Sequence, residues 1–112
     1  MPRRWTIFML LKATTDWLAH SPAQRFELTG AVLEPLLERH ADVRLRFFDA
    51  EYFSAGISDV ALWETENLDA WRSLVEGLRE TPFWGRWFEV RELLLTCENG
   101  YAEHYGQIAI SG

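Results

Sequence analysis

The chain has 112 residues, 48% of them hydrophobic and 14% aromatic, which suits one packed domain and argues against disorder. Against 17 Asp and Glu there are 11 Lys and Arg, a formal net charge of −6, and no basic run extends beyond Arg3-Arg4; nucleic acid is therefore disfavoured as the main partner, because phosphate binding needs clustered cations. The single cysteine, Cys97, excludes an internal disulfide, and no apolar stretch approaches the roughly 18–20 residues that span a bilayer as a helix.

The first fifteen residues, MPRRWTIFMLLKATT, have the outline of a signal peptide, with two arginines ahead of an apolar run. The run from Trp5 to Leu11 is short, however, and Lys12 and Asp16 follow it where a cleavage site would need small residues. It reads instead as the first strand of a cytoplasmic protein. Within residues 4–13, Ile7, Met9 and Leu11 lie on one alternating face and Phe8 and Leu10 on the other. A strand covered on one side only should not be apolar on both.

Ser21-Pro22-Ala23-Gln24 then starts a helix: Ser21 caps it, Pro22 suits the first position and Gln24 completes a capping box. Leu28, Val32, Leu36 and Leu37 follow at helical spacing, with Glu34, Glu38 and Arg39 on the wet side. Pro35 is expected to kink or divide this helix, since it removes a backbone donor. Val43 to Asp49 alternates as a strand, with Val43, Leu45 and Phe47 on one face and Arg44, Arg46 and Phe48 on the other. A turn at residues 54–56 leads to a second strand at 58–64, making an antiparallel hairpin. Asn67 caps a second helix with a stripe of Leu68, Trp71, Leu74, Val75 and Leu78, and Arg72 and Glu76 pair four apart on its outer side. Residues 81–85 stop that helix, and 87–98 form the fourth strand. The period of residues 101–112 is too mixed to assign.

The resulting order, βαββαβ, is the α+β ferredoxin-like arrangement: a four-stranded antiparallel sheet with helices on one face, in a single domain over 1–112. The other face is expected to carry Phe48, Trp63, Trp87 and one side of strand one, too much apolar surface to leave in water. A second copy of the sheet is the simplest cover, giving a homodimeric α/β barrel. Arg44 and Arg46, with Asp59 on strand three and Glu89 and Arg91 on strand four, are expected to form a charge network in that interface. Arg46 should be buried there and paired with Asp59 or Glu89, because an unpaired buried charge is strongly unfavourable.

Five stretches in order, F-x-L-L-K-A-T-x-x-W-L at 8–18, SPAQR at 21–25, LRFFDAEYF at 45–53, SDVALWET at 58–65 and TPFWGRWFEV at 81–90, resemble the darcynin family. The resemblance runs over roughly residues 5–95. It implies a small bacterial protein among the dimeric ferredoxin-like α/β barrels, and it supplies no reaction, cofactor or catalytic residue. Related barrel superfamilies include cofactor-free monooxygenases, muconolactone-type isomerases and haem-binding enzymes, an analogy of fold alone.

The residues themselves leave two classes open. One is a protein that binds or transforms a small aromatic or conjugated molecule without a metal, in a pocket between the sheet and its own helices near the end of strand one. Trp17, Phe26, Trp71 and Phe83 would then supply apolar walls, and His20 the acid–base group, its ordinary pKa lying near neutrality. The other is a non-catalytic homodimeric module. Asp49 and Glu51, spaced by two, could work as paired carboxylates, although acids beside a turn are usually solvated. His20, His40 and His104 are too scattered for a metal site, and no Gly-rich phosphate loop or nucleophile elbow is present, so neither metal nor cofactor is expected.

Overall fold

A computed structural model describes residues 3–110. Four strands, β1 (Trp5–Ala13), β2 (Val43–Asp49), β3 (Asp59–Thr65) and β4 (Phe88–Thr96), form one antiparallel sheet in the order β2-β3-β1-β4. Two helices, α2 (Pro22–Arg39) and α3 (Leu68–Arg79), cross one face of it, and α1 (Thr15–Leu18) and α4 (Gly100–His104) are single turns. This is the ferredoxin-like α+β fold.

The helix starts follow from local chemistry. Ser21 Oγ accepts the Gln24 N–H at 3.2 Å, and the Gln24 side chain accepts the Ser21 N–H at 2.8 Å, a complete capping box with Pro22 behind it. Asn67 caps α3 by accepting from the Ala70 N–H. Of the two outcomes expected of Pro35, division does not occur: α2 runs for 18 residues through it. Leu33 and Leu36, on either side of Pro35, are both buried, so tertiary packing outweighs the one missing backbone donor.

The core lies between the sheet and these two helices. Ile7, Met9 and Leu11 of β1 meet Ala61 and Trp63 of β3, covered by Leu33 and Leu36 from α2 and Leu74 and Leu78 from α3. At Gly77 the helices come so close that a Cβ would stand 2.8 Å from Leu36 Cδ2.

Two features of register correct the reading of strand faces. Asp49 lies opposite Asp59, so odd-numbered residues of β2 face odd-numbered residues of β3. Trp63 therefore sits between Ile7 and Leu45 on the helix side, fully buried, and Asp59 shares that side with Leu11. Neither belongs to the open face with Arg44 and Arg46. Trp87, also expected on the open face, precedes β4 and is buried in the core with its ring 4.8 Å from that of Trp17.

The second feature is a bulge in β4. Leu10 pairs with Glu92 but Leu11 pairs with Val90, which leaves Arg91 as an extra residue. As a result Phe88 and Val90, and beyond the bulge Leu93 and Leu95, all fall on the helix side. The open face carries Phe8, Leu10, Phe48, Val60, Leu62 and Leu94, bordered by Arg44, Arg46, Glu64, Glu89 and Glu92.

Candidate functional site

At the end of β1 the sheet and the first half of α2 do not close on one another. They enclose a cavity of about 750 Å³, whose lining includes Trp17, Phe26, Phe47, Tyr52 and Phe88. That is the volume of an ordinary small-molecule site. Local structure builds its inner wall. Thr14 Oγ1 accepts the Trp17 N–H at 3.1 Å, starting the single turn of α1, while the Thr14 N–H donates to the Trp87 carbonyl at 2.9 Å. This turns Trp17 inward, onto Phe88 at 5.3 Å between ring centroids. Trp17 and Phe88 are buried, whereas Phe26 and Tyr52 are exposed at the rim.

Polar groups converge on the same space: Asp49, Glu51 and Asp59 from the sheet side and Arg25 from α2. The Arg25 Nε donates to the His20 carbonyl at 3.0 Å, and among the described residues no ion pair joins it to the three acids. The acids are held by the closure of the β2–β3 connection onto β1. The Ala50 N–H donates to the Ser58 carbonyl, the Ser58 N–H donates to the Leu11 carbonyl, and the Ser58 hydroxyl accepts the Ala13 N–H at 2.7 Å. Burial pushes the Asp59 carboxyl above its ordinary pKa; a hydrogen bond from Ser58 opposes this, and the charges of Asp49 and Glu51 reinforce it. A half-buried carboxyl that holds its proton more tightly, at the wall of an aromatic cavity, is chemically distinctive.

Of the residues expected to make a pocket, the structure brings Trp17 and Phe26 to the cavity. Phe83 is fully buried in the core and Trp71 packs against that core, both away from the cavity lining. His20 stands just outside the lining, with Nδ1 3.3 Å from the Trp17 carbonyl and its ring 5.8 Å from the Trp17 ring. Arg25, Phe47, Tyr52, Asp59 and Phe88 were not foreseen as cavity residues. For Asp59 the missing signal was the phase of β3, which is set across the turn from β2; Arg25 and Tyr52 lie outside the strands.

The charges expected to form one network divide into three. Arg46 pairs with Glu64 at 3.3 Å, not with Asp59 or Glu89, and its side chain is 58% exposed in the single chain. Glu64 sits directly across from Arg44, one pleat from Arg46 on the same face, whereas Asp59 is on the other face. Glu89 and Arg91 pair with each other at 2.9 Å, with β3 and β1 lying between them and β2. Among the described residues no three His, Cys, Asp or Glu side chains converge as metal ligands, and no helix is long and apolar enough to cross a membrane.

Fold and site together define a ferredoxin-like α+β protein with an aromatic, acid-bearing cavity between its first long helix and its sheet. Residues 2–112 match the family described as "Darcynin, domain of unknown function", and the chain belongs to that family. It is 48% identical over 102 residues to a darcynin homolog of Streptomyces avermitilis, covering 90% of this chain and 84% of that one. With a darcynin homolog of Granulibacter bethesdensis it shares 42% over 107 residues, covering 95% of this chain and 86% of the relative. Among solved structures it resembles a mutant chlorite dismutase of Candidatus Nitrospira defluvii, with a TM-score of 0.74 and 19% identity over 96% of this chain. The chain spans 46% of that protein's length, and at this identity the likeness is one of fold.

Proposed function

We propose that the protein binds a small planar aromatic or conjugated molecule in the cavity between α2 and the sheet. The observation that carries this reading is the cavity itself, about 750 Å³ with five aromatic side chains in its lining. A space of that size left open in a protein otherwise able to bury Trp63, Phe83 and Leu74 completely is best accounted for by a ligand. Indole is a suitable test molecule. In nuclear magnetic resonance titration its binding should shift the Trp17 side-chain N–H and the amides of Thr29 and Phe88. Thr29→Trp, which places an indole at the cavity wall, should abolish those shifts. Indole-induced shifts spread evenly over the surface, or undiminished in Thr29→Trp, would refute the site.

The same reading includes a homodimer through the open sheet face. Its support is the apolar patch of Phe8, Leu10, Phe48, Val60 and Leu94 on the side of the sheet away from α2 and α3, with Phe48 45% and Leu94 41% exposed. Charges of both signs, Arg44 and Arg46 against Glu89 and Glu92, border the patch and suit a self-complementary contact. In that arrangement the cavity lies on the outer side of each sheet, away from the interface.

A further inference from the structure

The cavity combines aromatic walls with an excess of negative charge: three carboxyl groups, Asp49, Glu51 and Asp59, against the single guanidinium of Arg25. Asp49 and Asp59 are directly opposite each other across β2 and β3, both on the helix side, so the register alone forces two carboxyls into one neighbourhood. Among the described residues Arg25 makes no ion pair with them, and its Nε donates to the His20 carbonyl. The acids are also not arranged as ligands for a metal ion. Paired carboxyls beside aromatic faces suit a different guest. A protonated amine can donate two hydrogen bonds to two carboxylates, and its charge is further favoured by nearby ring faces.

We propose that the cavity selects an organic cation, a planar aromatic or conjugated body bearing a protonated amine, with the amine seated on Asp49 and Asp59 and the ring against Trp17 and Phe88. This deepens the reading of the cavity as an aromatic-binding site and rests on it. Anions of similar shape are rejected by the same carboxylates. The charged groups facing Asp59 are Asp49 and Glu51 from the β2 side and Arg25 from α2. Because burial and those two acids favour the protonated form of Asp59, seating an ammonium there releases its proton. Affinity for the amine therefore rises with pH through the titration of Asp59, whereas affinity for a neutral ring does not.

Calorimetric titration with indole, tryptamine and indole-3-acetate separates these statements. At neutral pH tryptamine should bind about tenfold more tightly than indole, and indole-3-acetate about tenfold more weakly than indole. Asp59→Asn and Asp49→Asn should each bring tryptamine to within about threefold of indole. Should Asp59→Asn fail to fold, Asp49→Asn and the exposed Glu51→Gln report the same preference. Indole binding with tryptamine no tighter overturns the cation assignment and leaves the aromatic site standing. A tryptamine preference that survives both aspartate substitutions overturns the seat on Asp49 and Asp59. Failure of all three compounds to bind overturns the aromatic site and this inference with it.

Discussion

Asp59 ties stability to function at the level of one side chain. Burial raises its pKa above the ordinary aspartate value, with Asp49 and Glu51 adding to the rise and Ser58 opposing it. The folded state therefore holds a proton that the unfolded chain has already released, and stability falls as pH rises from the ordinary aspartate pKa through the raised one. Above that window the ionised Asp59 weakens the fold, and below it the penalty vanishes. Asp59→Asn should accordingly raise the melting temperature by a few degrees near neutral pH, and should melt with the parent at about pH 2.5, below the ordinary aspartate pKa. Thermal melts at the two pH values check this. A gain that persists unchanged at the lower pH would assign the effect to packing and not to charge. A residue that costs stability while serving a cavity is expected where function constrains the sequence.

At the scale of elements, the helix pair is held by a contact without slack. Gly77 of α3 faces the Cδ2 of Leu36 of α2, a residue only 5% exposed, so a larger side chain at 77 must displace the end of a buried one. Gly77→Val should cost about 1–3 kcal/mol, read as a lower urea midpoint with an unchanged slope. The element order and helix starts were legible because they depend on short-range chemistry: Ser21, Pro22 and Gln24 sit within four residues, and Asn67 needs only the next turn. The alternation of β2 was legible by itself, with Val43, Leu45 and Phe47 under the helices as expected, but the face of β3 was not, because it depends on which residue lies opposite which. Nothing near Asp59 in the sequence states that it pairs with Asp49 across a nine-residue connection. The same gap hid part of the cavity: Trp17 and Phe26 stood out as aromatics near a helix cap, whereas Asp59 becomes a cavity residue only through register.

At the scale of the whole molecule, the proposed dimer and the cavity occupy opposite sides of one sheet, so each can be altered without the other. Leu94, exposed on the edge strand of the open face, is the place to separate them. Leu94→Glu should convert a species of twice the monomer mass into a monomer at micromolar concentration in sedimentation, with the far-ultraviolet circular dichroism retained. Its indole binding should be unchanged, because the cavity lies under α2. A parent protein that already sediments as a monomer would remove the dimer from this account.

The extra residue in β4 has a consequence for how such a chain can vary. In wave terms Arg91 is a half-period phase slip: it lets the even positions Phe88 and Val90 and the odd positions Leu93 and Leu95 oscillate on the same side of the sheet. Removing Arg91 would only close the bulge, since Val90 would then precede Glu92 and still fall opposite Leu11; pairing Arg91 itself with Leu11 would instead invert the segment before it, turning Phe88 out of the cavity wall and Glu89 into it. The effect of a deletion in this strand therefore depends on its place: loss of the bulged residue leaves the wall intact, whereas loss of Glu89 with the bulge kept would set Phe88 opposite Lys12 and flip it to the open face. The binding surface is thus governed by parity, a property that no single position in the sequence carries.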